Sequence, residues 1–276
     1  MIGSVGALSA LGSLSKITSQ LESSSKRLSS GSKFSSVGFD AAGLTIAAGL
    51  SSQVRGNNAA SANLQNGSNA LNVASGALQG QLDSLQQLKG LAVQAANGTN
   101  SPDSSAAIQA QASQITAGID QVADSTQFNG KNLLDGSNAA AGSFVIQGGP
   151  SAGNSTDISS SFTDASSAGL GLAGLDLSTQ AGASAGISAI DNAISQVSAQ
   201  MASIGAADNG LQAQAANLET STANVSASLS QIADTDFAAE ITQQKSLQYA
   251  AQASVMMLKA QSKTSGSLLE LLRSGP

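Results

Sequence analysis

Residues 187–232 read ISAIDNAISQVSAQMASIGAADNGLQAQAANLETSTANVSASLSQI. An apolar side chain falls at nearly every a and d position of a heptad: Ile187, Ile190, Ile194, Val197, Met201, Ile204, Leu211, Leu218, Val225, Leu229 and Ile232. Seven-residue spacing keeps one narrow stripe turned toward a partner helix, so the stretch reads as one arm of a coiled coil. At about 1.5 Å per residue a straight helix over it would run roughly 70 Å, longer than a compact domain of this size is wide, which predicts a rod. Asp208, Ala215 and Thr222 are its weak positions. A second run of the same period lies in the other half of the chain, at Leu50, Asn57, Leu64, Leu71, Leu78, Leu85 and Ala92. Ala60, Gly67, Ala74, Leu88 and Ala95 flank it three residues on. The two runs can pair within one chain, so the expected fold is mainly α, with a long antiparallel coiled-coil rod.

Composition narrows the chemistry. The apolar fraction is 41%, but much of it is alanine, and aromatics make up 3%. Closely packed helices suit such small side chains better than a large core of bulky ones. Histidine, cysteine and tryptophan are all missing. That removes Ser/His/Asp and Cys/His nucleophilic sites and every thiolate or imidazole metal site, so no cofactor or metal is expected. The carboxylates are scattered singly, as solvated or capping groups are, and no pair is placed for acid–base work. The net charge of −6 is uneven: no Lys or Arg lies between Lys131 and Lys245, while the stretch before Asn97 carries six bases against three acids. A basic stripe interleaved with aromatics is missing, so nucleic acid is not an expected partner.

Along the chain, Val5, Leu8, Leu11, Leu14, Ile17, Leu21 and Leu28 follow helical spacing, with a polar face of serine. Such a helix is marginal alone in water and is expected to fold against partners. Gly31 to Gly38 break the pattern, and Asp40 can cap a helix that Asn97-Gly98 would end. Ser101-Pro102 opens another, with Ile108, Ile115, Ile119 and Val122 on one face. Residues 132–134, 143–147 and 156–162 are strand candidates in a small hairpin cap within a region rich in Gly, Ser and Ala. After the seam helix, Asp234-Thr235-Asp236 can restart a helix carrying Ile241, Leu247, Val255, Leu258, Leu268, Leu269, Leu271 and Leu272. The N-terminus lacks a basic region and a continuous apolar run, so neither a signal peptide nor a membrane span is expected. Secretion would need another route.

Two local motifs dissolve in context. Gly169-x-Gly171-x-x-Gly174 matches a dinucleotide loop, but no apolar strand precedes it and no helix follows directly. The Asn-x-Ser/Thr triplets at Asn66, Asn97, Asn154 and Asn224 are expected by chance in a chain this rich in Asn and Ser.

Several strings together resemble bacterial flagellin. Arg27-Leu-Ser-Ser-Gly31, Asp40-Ala-Ala-Gly43-Leu-Thr-Ile-Ala, LKGLAVQAANG at 88–98 and Thr126-Gln-Phe-Asn-Gly130 with Leu133-Leu134 are similar, in order and spacing, to its N-terminal region. Ile232-Ala-Asp-Thr-Asp236-Phe-Ala-Ala-Glu240 and Leu268-Leu-Glu-Leu-Leu-Arg273 resemble its C-terminal region. The resemblance implies a minimal flagellin: residues 1–39 with 237–276 as a terminal-helix filament core, and 40–236 as a helical rod with a β-hairpin region near 130–180. The gap of about Gly169 to Ala183 is too short for a variable outer domain. It further implies a non-enzymatic subunit, secreted by type III export, that polymerises into the extracellular filament used for swimming. Its implied partners are itself, an export chaperone, the filament cap and hook–filament junction proteins. The polymerisation interface would be the apolar positions of the first and last helices, from Val5 to Leu28 and from Leu247 to Leu272. A hook–filament junction protein and a flagellin-like surface adhesin are the alternatives. Flagellins are also sensed by a Toll-like receptor through an arginine-bearing stretch of the rod. Here Gln87 and Lys89 stand where arginines are usual and Gly90 where an acid is usual, so weak recognition is expected.

Overall fold

The computed structural model describes residues 2–34, 40–140 and 142–273, although side chains at 2–7, 265, 268, 269 and 271–273 are outside the description. Among the described residues the chain runs α1 (Ile2–Ser30), α2 (Ala41–Ala95), α3 (Pro102–Ser125), β1 (Gln127–Phe128), β2 (Lys131–Asn132), β3 (Val145–Gln147), β4 (Ser155–Asp157), a 3-10 turn (Ser159–Ser161), α4 (Gln180–Ala233) and α5 (Phe237–Arg273). It divides into two compact units, 53–223 and 1–52 with 224–276, so the division falls inside α2 and α4 rather than at their ends.

Helix boundaries follow the local chemistry. Asp40 Oδ1 accepts the N–H of Gly43 at 2.8 Å and starts α2. Ser101 Oγ accepts the N–H of Ser104 at 3.2 Å, with Pro102 at the first helical position of α3. Asp236 Oδ1 accepts from Ala238 at 3.0 Å and Ala239 at 3.1 Å and starts α5. Gly31, at φ 68°, ends α1 in the left-handed conformation, its N–H bonded to the Arg27 carbonyl. The end of α2 differs from the glycine cap expected at Gly98, which takes no positive φ. Asn100 Nδ2 instead donates to the carbonyls of Gln94 (2.6 Å), which also takes the Asn97 N–H, and Ala95 (3.4 Å), closing the end of the last turn.

In the unit 53–223, α2 and α4 run antiparallel. Asn57 meets Ser221, Ser68 meets Asp208 and Lys89 meets Asp191, so numbers rise on one helix as they fall on the other. One continuous core joins them to α3, from Leu64 through Ile119 to Leu211. It contains more bulky side chains than composition suggested. Leu133, Leu134, Ile158, Phe162, Leu170, Leu172 and Leu177, from the segment between α3 and α4, are all buried in it. At roughly 1.5–3 kcal/mol per large apolar side chain, burial fixes this segment despite its scarce secondary structure.

The strand expectations are corrected in detail. Residues 132–134 contribute one strand residue, since Leu133 and Leu134 turn into the core. The 143–147 candidate contains β3, whereas 156–162 begins in β4 and continues as the 3-10 turn. β1 was not anticipated. It pairs with β2, Phe128 opposite Lys131, across Asn129-Gly130, where both residues have positive φ as a tight hairpin requires. β3 pairs antiparallel with β4, Ile146 opposite Thr156.

Candidate functional site

In the unit made of both chain ends, α1 and α5 lie side by side. Arg27, near the end of α1, donates to Glu240 Oε1 at 2.7 Å near the start of α5, so the pair is antiparallel. Both side chains are largely buried, and the guanidinium bond holds the Glu240 carboxyl below its usual pKa. The segment after α1 runs beside the α4–α5 junction: Ser32 bridges Asp234, Thr235 donates to the Gly31 carbonyl at 2.9 Å, and Lys33 Nζ reaches the Gln231 carbonyl at 2.9 Å.

The apolar positions expected on these helices fall into two groups. Leu14, Ile17, Leu21, Leu28 and Leu258 are half-buried and Leu247 is buried. Leu8, Leu11, Ile241 and Val255 are exposed, Leu8 at 75%. Val5, Leu268, Leu269, Leu271 and Leu272 belong to the expected set too, but their side chains lie outside the described residues. The expectation also missed Phe237, Tyr249, Met256 and Met257, all large, apolar and exposed. The adjacent methionines were the available signal, because neighbouring helix positions point about 100° apart and cannot share one narrow stripe.

In the other unit, Leu64, Leu71, Leu78 and Leu85 on α2 and Ile190, Val197, Ile204 and Leu211 on α4 are buried. Ile187, Ile194, Met201 and Leu218 pack half-buried against them. Val225, Leu229 and Ile232 are half-buried in the unit of the chain ends. Of the weak seam positions, Asp208 takes hydrogen bonds from Ser68 Oγ and Gln212 Nε2, making a polar pair across the helices. Ala215 and Thr222 line a surface groove of about 620 Å³ with Asn58, Gln65 and Glu219. Lys89 is held at 2.6 Å by Asp191, while Gln87 and Gly90 are exposed on α2.

Polar side chains that no periodicity marked tie the irregular segment down. Gln81, fully buried, donates to the carbonyls of Ile119 (3.2 Å) and Ala165 (3.1 Å). Gln109 takes the Leu177 N–H at 2.5 Å and donates to the Leu175 carbonyl at 3.0 Å. Asp120 receives both the N–H and the hydroxyl of Ser167. Gln214 accepts from Thr156 Oγ1 at 2.8 Å and donates to the Gly148 carbonyl, seating the β3–β4 hairpin on α4. Among the described residues no group of three or more acidic side chains is placed to hold a metal, and no helix is long and apolar enough to cross a membrane.

Both ends of the chain therefore share one helix pair that leaves large apolar side chains exposed, and the middle has a core of its own, the organisation of a structural assembly subunit. The bacterial flagellin N-terminal helical region matches residues 4–139, and the flagellin C-terminal helical region matches 187–272. The flagellin of Bacillus subtilis strain 168 is 33% identical, over 98% of each chain. That of Halalkalibacterium halodurans is 33% identical over 90% of each. The crystal structure of Bacillus cereus flagellin superposes with a TM-score of 0.50 at 26% identity, over 57% of this chain and 88% of that one. A putative flagellar hook-associated protein of Vibrio parahaemolyticus shares the fold, with a TM-score of 0.61 at 16% identity over 71% of this chain and 100% of that one. This chain belongs to the bacterial flagellin family, in a form without a large variable domain. It is a structural subunit of the extracellular flagellar filament that serves motility.

Proposed function

We propose that the subunit assembles through the helices of its two ends, and that it acts by packing rather than by catalysis. The carrying observation is the apolar surface that Leu8, Leu11, Ile241, Tyr249, Met256 and Met257 leave exposed on α1 and α5. Burying it against neighbouring copies removes apolar area from water at about 25 cal/mol per Å². Contacts between different patches of identical subunits do not close on themselves, which is what a helical filament requires. In this reading residues 1–39 with 237–276 are the filament core and 40–236 the rod, and the assembling set read from the sequence also includes Val5, Leu268, Leu269, Leu271 and Leu272. The export chaperone, filament cap and hook–filament junction proteins engage this subunit during export and growth. Relatives named flagellin, above 30% identity over 90% or more of both chains, support this reading over a hook–filament junction role.

Negative-stain microscopy of the purified chain at rising concentration tests the proposal. Long filaments are expected, and monomers or closed rings at every concentration would overturn it. A finer consequence concerns innate recognition. Lys89 is engaged by Asp191 and Gln87 is uncharged, so neither supplies a bidentate guanidinium. Activation of the flagellin-sensing Toll-like receptor is expected to be weak in a reporter-cell assay, and full potency would refute that.

A further inference from the structure

We propose that Met256 and Met257 form an oxidation site that governs assembly: hydrogen peroxide converts them to sulfoxides on the free subunit and withdraws it from polymerisation, while subunits already in the filament are shielded. This rests on the assembly reading above and adds a regulation to the same face.

The two side chains are 69% and 71% exposed. They lie off the stripe that α5 turns toward α1, where Leu247 is buried and Ala250, Ala251, Ser254 and Leu258 are half-buried. Tyr249, 70% exposed, precedes Met256 by one heptad on the same side. On α1, Leu11 lies sixteen residues before Arg27, and on α5 Met256 lies sixteen after Glu240. With Arg27 and Glu240 in contact and equal rise on both helices, Leu11 and Met256 sit at one height on the pair. Leu8 and Leu11, also exposed, leave apolar surface on α1 at the same level of the pair as the methionines on α5. The protein carries its own reference in Met201, which packs half-buried against the α2–α4 core.

In the reaction the thioether sulfur attacks one peroxide oxygen and the O–O bond breaks. The sulfur keeps that oxygen and gives up two electrons, and the other oxygen leaves as water after taking a proton from the first. A flexible apolar side chain becomes a polar one. A sulfoxide oxygen buried at a subunit contact without a donor opposes packing, and the penalty recurs in every subunit.

The test treats the full-length chain with hydrogen peroxide, once as monomer and once as filaments, then maps oxidised peptides by mass spectrometry and measures assembly by sedimentation. In monomers Met256 and Met257 should oxidise roughly tenfold faster than Met201, and in filaments roughly tenfold more slowly than in monomers. Treated monomers should lose assembly. The Met256→Leu/Met257→Leu chain, measured against its own untreated sample, should be insensitive to peroxide, whereas Met201→Leu should remain sensitive. Oxidised wild-type chains that assemble like untreated ones overturn the proposal, as does equal oxidation in filament and monomer. An untreated chain that never assembles would instead sink the assembly reading, and this regulation with it.

Discussion

At Glu240 a charged hydrogen bond ties the first helix of the chain to the last. Its carboxyl accepts from Arg27, largely out of water, and that bond holds its pKa below the ordinary 4.5. A carboxylate whose folded pKa is depressed contributes stability that is full above its unfolded pKa and drains away as pH falls through the folded value. The α1–α5 pair should therefore weaken as pH falls below about 4.5, by about 1.5–3 kcal/mol, the worth of a hydrogen bond to a charged group. Glu240→Gln should remove that part of the acid dependence and leave the pair weaker at neutral pH. Limited proteolysis of α1 and α5 across pH 3–7, together with far-UV circular dichroism, reads both effects. If the variant and the parent loosen along the same curve, the Arg27 contact does not set acid sensitivity.

At the scale of elements, periodicity made the helices legible and left the hairpins obscure. The seam could be read because Leu64, Leu71, Leu78 and Leu85 repeat every seven residues, and a repeat of that length leaves a helix one way to bury its apolar side. Capping at Asp40, Ser101 and Asp236 was legible for a similar reason, since each oxygen acts within three residues of itself. The contacts of Gln81, Gln109, Asp120 and Gln214 span 38 to 84 residues and leave no local pattern. For the same reason, the β3–β4 hairpin's seat on α2 could not be foreseen. There Gly56 admits Pro150, whose Cβ would lie 2.8 Å from a Cβ added at that glycine, and Gly67 admits Ile146 at 3.1 Å. On α1 and α5, sequence reasoning found the half-buried positions and the exposed Leu8, Leu11, Ile241 and Val255, and missed Tyr249, Met256 and Met257, which fall outside the repeat. Two substitutions separate packing from propensity. Gly56→Val should cost about 1–3 kcal/mol by forcing the hairpin off the helix, with loss of amide-exchange protection at β3–β4. Gly80→Ala, with nothing within 4 Å of the added carbon, should raise the unfolding free energy by up to about 1 kcal/mol, read as a higher urea midpoint. Equal effects at both glycines would show that helix propensity, not hairpin docking, controls the site.

For the whole molecule, the two units differ in how they are stabilised. The unit 53–223 holds nearly all of the buried apolar side chains, including Phe162, Ile119 and the leucines of α2. In the unit of the chain ends, Ala47 and Leu247 are the buried apolar residues among those described, while large side chains from Leu8 to Met257 meet water. A helix pair with so little core gains most from whatever covers its exposed side chains, which in the proposed assembly is other copies of the chain. Removing either end should therefore spare the middle and abolish assembly. A chain lacking Met1 to Ser32, or Lys245 to Pro276, should retain a cooperative urea transition and most of its helical circular dichroism, yet form no filaments at concentrations where the parent does. Amide exchange in the intact monomer should show the same division, with α3 and the centre of α4 protected well above α1 and α5. A truncated chain that still builds filaments by electron microscopy would place the assembly contacts in the rod instead.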